Sequence, residues 1–412
     1  MKKEEFFKEV INNSKGPLEG IKVLEIGGMH TAPMCGMVLA DLGAEIIKVE
    51  QPEGELVRYA GPFLEGKPPQ ETSTYFLSIN RNKKGITINM RHPEGQEIFR
   101  DLAAKVDVLI QNFKPGTMAR WRVGYDDIKR LNPKIVYISI SMFGQYGPYH
   151  KRPGFDPLAQ AMGGIMYVTG MPGEMPLRTG NAIVDNSTGW MAAIGALSAL
   201  LYRKETGKGQ HVDISLLDNT VYMSDFGLMA AAHTNYHWVR NGNRHPSVSP
   251  FNTYQTKDGY IFIIIGPDSH WAKFCRIMGR EDLIADPRCK TVRDRGANAE
   301  MIDQLTAQWA KGKTVEEIMN IFLENEIPAA PIWSHKDILT NEHVQERGMV
   351  AEVDHPAAGR VKLQGIPWKH SLTPGKVRTP APTLGQHTTE ILTNWLGYDQ
   401  EMISSLKERR AI

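Results

Sequence analysis

Two apolar periodicities take turns along the first 150 residues. Ile21-Lys22-Val23-Leu24-Glu25-Ile26 is short, rich in β-branched residues, and ends on Gly27-Gly28. Helical spacing takes over from Pro33 to Leu42 and stops at Gly43, a residue suited to a helix C-terminus. Ala44–Glu50 returns to strand character and closes on Gln51-Pro52. Strand, helix and strand within about 30 residues make a βαβ unit, whose crossover implies parallel strands. The alternation continues through a strand at Gly85–Met90, a helix at Gln96–Ala104 and a strand at Val106–Phe113. Lys114-Pro115-Gly116 then turns into a helix from Thr117, followed by a short helix at Asp126–Leu131 and a strand at Ile135–Ser141. The fold class expected is α/β, with a Rossmann-like, doubly wound parallel sheet.

Beyond this region the pattern predicts a long small-residue helix at Ala182–Leu201, a turn at Thr206–Gln210, a strand at His211–Leu216 and a helix from Leu217 to His233. A polar stretch rich in Gly and Pro, from Asn241 to Pro250, marks a change of composition. The expected organisation is a large domain over 1–205, a linker at 206–225, a smaller α+β domain at 226–330, and a linker and return to the large domain over 331–412. Two short helices, Thr389–Leu396 and Gln400–Lys407, close the chain.

Composition narrows the partners. The 412 residues hold 48 Lys and Arg against 46 Asp and Glu, a net charge of +2, which makes no electrostatic case for nucleic acid. No apolar run approaches the roughly 18 residues of a membrane span, and the charged N-terminus lacks an apolar signal core. Cys35, Cys275 and Cys289 form no CxxC pattern, so a reduced, cytoplasmic setting is expected.

Candidate chemistry is sparse. The first βα turn reads GGMHTAP, not GxGxxG, so an NAD fingerprint is disfavoured, although Glu50 stands where a ribose-binding acid would lie. There is no Walker A sequence, no G-x-S-x-G elbow and no H-E-x-x-H. His233 and His237 have helical i, i+4 spacing but no third ligand nearby, so no metal site is expected. Asp185 stands near the start of the long small-residue helix. Such an Asp is either a helix cap or a partly desolvated carboxylate nucleophile. Asp156 carries the same ambiguity.

Nine blocks occur in a recognisable order: Pro17–Glu25, Leu39–Glu50, Asn80–Lys84, Asn112–Gly116, Asp185–Gly189, Thr206–Gln210, Asn243–Pro250, Asp258-Gly259 and Leu384–Thr388. Through them nearly the whole chain resembles the family III CoA-transferases, the group of formyl-CoA transferase and carnitine CoA-transferase. The resemblance implies transfer of coenzyme A from an acyl-CoA donor to a carboxylic acid, with the CoA thioester as substrate and neither metal nor NAD. It places the catalytic aspartate on Asp185, which would pass through an aspartyl anhydride and an aspartyl-CoA thioester. Backbone N–H groups at the start of its helix would steady the oxyanions. Met29, His30 and Thr31 fall on the turn that lines the CoA and acyl site. Asn112 and Phe113 fall on residues packing the CoA, Arg120 on a phosphate-contacting arginine, and Lys83 and Lys84 on a basic pair near the CoA tail. Lys48 is a further candidate for the phosphates. Gln51 stands where formyl-CoA transferase has a CoA-contacting arginine, Ser141 where it has a lysine, and its tetraglycine loop is missing. These departures point away from oxalate and formate and leave the acids open. The family's interlocked dimers imply a ring-shaped chain threaded by a second copy or by a related subunit. Two other readings share the scaffold: an acyl-CoA racemase working through a His–Asp pair, and a non-catalytic partner subunit.

Overall fold

The computed structural model describes residues 1–67 and 69–412. Strands β1 (Lys22–Ile26), β2 (Glu45–Glu50), β3 (Lys83–Thr87), β4 (Val108–Gln111), β5 (Val136–Ser141) and β6 (Gln210–Ser215) form one sheet in the order β3-β2-β1-β4-β5-β6. Every pair in it is parallel, as the alternating pattern predicts. Six helices build the layers around this sheet and the edge of the site: α1 (Thr31–Asp41), α2 (Thr74–Ile79), α3 (Pro93–Ala103), α4 (Asp156–Met162), α5 (Ile183–Thr206) and α6 (Leu216–Tyr222).

Alternation along each strand sends side chains to opposite faces. Val23, Ile46, Val108, Ile110, Val136 and Ile138 share one buried cluster with residues of α1 and α5. Leu24, Ile47, Val49, Ile86, Leu109 and Tyr137 share another with Ile98, Phe99 and Leu102 of α3. Each fully buried Val, Leu or Ile contributes about 1.5–3 kcal/mol relative to exposure. Helix α5 lies close on α1 because its inner face is small: a Cβ at Gly189 would stand 2.6 Å from Met34 Cβ. Gly207, with φ 73°, ends α5 in the left-handed conformation.

The chain forms two compact units. The larger comprises Met1–Ile165, Arg178–Met229 and Glu342–Ile412, and the smaller Met166–Leu177 and Ala230–Asn341. Residues 206–225 carry β6, the sheet's sixth strand, and α6. The single helix expected from Leu217 to His233 is interrupted around Asp225, a non-glycine residue at φ 52°. In the smaller unit β7 (Phe251–Gln255), β8 (Tyr260–Ile264) and β9 (Ala329–Pro331) make an antiparallel sheet. It packs with α7 (Asp268–Met278), α8 (Ala299–Lys311) and α9 (Val315–Glu324) around Trp271, Phe274, Ile302, Ile318 and Phe322. The returning segment holds a hairpin, β10 (Val350–His355) and β11 (Gly359–Gln364), that the sequence pattern did not reveal. Helices α10 (Thr388–Leu396) and α11 (Gln400–Glu408) follow, adding Ile391, Leu392, Ile403 and Leu406 to the α3 face. Among the described residues no helix is long and apolar enough to cross a membrane.

Arg81, just before β3, forms a buried ion pair with Asp41 at the end of α1 and also reaches the hairpin. Arg81 donates to Asp41 through Nε at 3.0 Å and Nη2 at 2.6 Å, and through Nη1 to the Gln364 carbonyl. Removing one partner of a buried pair strands the other charge. Arg81→Met is therefore expected to lower the unfolding free energy by about 3–5 kcal/mol in urea denaturation. A loss below about 1 kcal/mol, the range of an exposed pair, would contradict this account.

Candidate active site

The strand order reverses between β1 and β4, and in such sheets ligands bind in the crevice beyond the carboxyl ends of the strands at that point. A cavity of about 540 Å³ opens there. Its wall includes Gly27, Gly28 and Met29 of the turn after β1, Asn112 and Phe113 after β4, and Asp185 of α5.

The turn after β1 is held by side chains. Asn112 Oδ1 accepts the Gly28 N–H at 3.1 Å, while its Nδ2 donates to Gly28 O at 2.8 Å and to Thr31 Oγ1 at 3.1 Å. Glu55 Oε2 accepts the Met29 N–H at 2.9 Å. Glycines are needed where these groups approach: a Cβ at Gly27 would collide with Asn112 Oδ1, and one at Gly28 with Glu55 Oε2. The double glycine thus makes room for these protein side chains.

His30 Nε2 lies 2.7 Å from Asn186 Oδ1, and its Nδ1 lies 2.8 Å from the Tyr75 hydroxyl of α2. A carbonyl oxygen only accepts, so Nε2 donates to Asn186 and Nδ1 accepts from Tyr75. Burial holds the His30 pKa below its ordinary value, which keeps the ring neutral.

The two candidate aspartates separate into different roles. Asp156 is the helix cap: its Oδ2 accepts the N–H groups of Val184 at 2.9 Å and Asp185 at 3.0 Å, two donors that α5 leaves unpaired at its start. Gln160 Nε2 fixes the other oxygen of Asp156 at 2.6 Å. The Asp185 carboxylate has no hydrogen-bond or ion-pair partner among the described residues. Burial, and then the charge of Asp156, push its pKa up to about 7. The sequence left cap or nucleophile open for both aspartates; in the fold Asp156 is the cap, and the Asp185 carboxylate does no capping. The helix amides expected to steady oxyanions are consequently engaged by Asp156.

Of the other residues singled out in the sequence, Met29, His30, Thr31, Gln51, Asn112, Phe113 and Ser141 all line the cavity. Gln51 donates to Gly54 O at 2.8 Å, and Phe113 stacks edge-on against Trp121 at 5.1 Å. Lys48, Lys83, Lys84 and Arg120 are not on its wall. Lys48 and Lys83 are buried against carboxylates. Lys84 pairs with Glu45 at 3.1 Å and Glu390 at 2.8 Å, and Arg120 is exposed, donating to Thr117. The basic pair opens β3, at the end of the sheet opposite the crevice. Arg91, just past the carboxyl end of the same strand, is an exposed cation on the cavity wall that sequence reasoning missed. Its position after a strand was the available signal. Tyr75, Asn186 and Glu55 were also missed, because only the fold brings them to the turn.

A profile of CoA-transferase family III matches residues 18–388. The chain belongs to that family. It is 37% identical to a succinyl-CoA–D-citramalate CoA-transferase of Chloroflexus aurantiacus, over 96% of this chain and 98% of the other. It is also 37% identical to a succinyl-CoA:glutarate CoA-transferase of Mus musculus, over 96% and 90% of the two chains. Among solved structures, a CaiB/BaiF family protein of Brucella suis superposes with a TM-score of 0.83 at 34% identity, covering 92% of this chain and all of that one. This family III protein is accordingly an acyl-CoA:carboxylate CoA-transferase.

The raised Asp185 pKa carries a stability signature in the CoA-transferase. Between about 4 and 7 the folded protein holds a proton on Asp185 that the unfolded chain releases, so this group's contribution falls as pH rises through that window. Asp185→Asn removes the effect. Its urea midpoint should exceed the parent's at pH 8, and the difference should shrink toward pH 4. Parallel midpoints across the range would mean that Asp185 titrates as an ordinary surface acid.

Proposed function

We propose that this CoA-transferase moves coenzyme A from succinyl-CoA to a carboxylic acid through covalent intermediates on Asp185. The observation that supports this most is the unpartnered, desolvated Asp185 carboxylate on the cavity wall, held in place by its own capped N–H. In the first step an Asp185 oxygen attacks the donor thioester carbonyl. The C–S bond breaks, giving an aspartyl–succinyl anhydride and the CoA thiolate. The thiolate attacks the aspartyl carbonyl, releasing succinate and leaving Asp185 as a CoA thioester. The acceptor carboxylate attacks that thioester to give a second anhydride, and the thiolate then takes the acceptor's acyl group. Overall one thioester replaces another, the anhydrides are transient, and covalent catalysis divides the transfer into easier steps.

The residues around Asp185 fit these steps. Desolvation favours a carboxylate as nucleophile by stripping water from it. Asn186 accepts from His30 through Oδ1, which leaves its Nδ2 as a donor for an oxyanion. Arg91 at the cavity mouth is the cation we assign to a CoA phosphate, in place of Lys83, Lys84 and Arg120. Both His30 nitrogens are engaged by Tyr75 and Asn186, which weighs against the α-proton transfer of a racemase. A cytoplasmic setting agrees with the three free, buried cysteines.

The active form in this reading is an interlocked dimer. The outer face of α5 supports it: Trp190, Ile194 and Leu201 recur at helical spacing and are 43%, 55% and 64% exposed in the single chain. Light scattering should give twice the 46.2 kDa chain mass. A monomer would contradict the dimer, and a stable dimer of this chain alone would set aside a required second subunit.

Asp185→Ala should abolish turnover while CoA still binds. Borohydride added with succinyl-CoA to the unmodified enzyme should reduce the thioester and mark the peptide that carries Asp185. Full activity of the variant, or a mark on another peptide, would overturn the mechanism.

A further inference from the structure

The mechanism leaves unused a charged cluster buried in the larger unit. Parallel register sets Glu25 of β1 opposite Lys48 of β2. Lys48 Nζ lies 3.1 Å from Glu25 Oε1 and 2.9 Å from Glu55 Oε1, and Lys83 Nζ lies 2.8 Å from Glu25 Oε2. Glu25 and Lys48 have no exposed surface, and Lys83 has 2%. Two carboxylates and two ammonium groups balance, yet apolar side chains of similar volume often stabilise such positions as well or better. The cost of burial is visible at Lys83, whose pKa is pushed down to about 8, chiefly by desolvation. Filling space therefore does not explain the cluster.

Besides the Asn80 side chain, which Lys83 Nζ reaches at 2.9 Å, the cluster grips backbone in the turn after β1 and the first turn of α1. Glu55 Oε2 accepts the Met29 N–H at 2.9 Å, Lys48 Nζ lies 3.5 Å from Gly27 O, and Lys83 Nζ donates to Pro33 O at 2.8 Å. Met29 has φ 63°, a conformation that non-glycine residues rarely adopt without support. His30 follows it directly and bonds Asn186, the neighbour of Asp185. Two glycines admit the carboxylates: a Cβ at Gly28 would collide with Glu55 Oε2, and one at Gly36 with Glu25 Oε2.

We propose that Glu55, seated by Lys48, Glu25 and Lys83, is a positioning residue for CoA transfer: its carboxylate locks the left-handed Met29 backbone and so aligns His30 and Asn186 beside Asp185. Glu55 acts through the turn. The proposal rests on the assignment of this cavity as the transfer site, and the two can fail separately.

The test compares Glu55→Ala, which removes the acceptor for the Met29 N–H, with Glu55→Gln, which keeps one. Hydrogen exchange of the segment carrying Met29 and His30 reads the turn without any turnover. Succinyl-CoA:succinate exchange gives kcat and KM. Glu55→Ala should speed Met29 exchange at least about tenfold and lower kcat by a similar factor, with Glu55→Gln recovering most of both. Gly28→Ala is the variant that decides if Glu55→Ala does not fold. It leaves every charge in place and displaces only the Glu55 carboxylate, and it should speed Met29 exchange in the same way. Unchanged exchange in a folded Glu55→Ala, or in Gly28→Ala where that decides, would overturn the proposal. So would a kcat that stays at the parental value while the turn loosens. A parent enzyme without CoA exchange would instead refute the assigned reaction, and the proposed role in catalysis would fall with it.

Discussion

The site depends on where two amide hydrogens of one helix go. Helix α5 begins with N–H groups that need acceptors, and an acid nearby is the usual solution. Here Asp156, from α4, accepts from both Val184 and Asp185. That arrangement has two effects. It pins the backbone of Asp185, and it relieves the Asp185 side chain of capping, so that the carboxylate can stay unpaired on the cavity wall. The charge of Asp156 also adds to the burial that raises the Asp185 pKa to about 7. An acid poised near neutral pH, fixed at its backbone and free at its oxygens, is suited to attack a thioester and to be regenerated.

The opposite wall is built by the same economy of backbone contacts. Asn112 brackets the Gly28 peptide from the end of β4, and Glu55 holds the Met29 N–H. The order of the sheet brings these together: β1 and β4 are neighbours, and the connections that leave them run in opposite directions. Neither Asn112 nor Glu55 has to touch substrate to matter. Each fixes the turn from which His30 reaches Asn186 of α5.

Much of the larger unit was legible in the sequence because its signals are local. Period-two runs separated by helices and ended by glycine specify a parallel sheet, and all six strands fall within a few residues of their expected places. The hairpin at Val350–Gln364 escaped because its strands are half exposed and polar, with the burial of Val361 and Ala358 depending on Val57 and Phe76 far away in sequence. Of the residues on the cavity wall, those of the turn and Asp185 stand in recognisable motifs. That Asp156 and not Asp185 caps α5 could not be read there, because a cap supplied from another helix leaves no local spacing. The lysines at 83 and 84 stand away from the crevice for a simpler reason. A basic pair opening a strand lies a full strand length from the crevice, whereas Arg91, past the strand's other end, reaches it.

Oxygen transfer between substrate and enzyme tests the central claim, that Asp185 itself exchanges bonds with the acids, most directly. In one turnover with succinyl-CoA and succinate carrying heavy oxygen in both carboxylates, the acceptor's bridging oxygen stays on the enzyme when the second anhydride is cleaved. Mass spectrometry should then find one heavy oxygen in the peptide containing Asp185 and none elsewhere. Labelled succinyl-CoA formed while that peptide remains unlabelled would contradict the covalent role of Asp185.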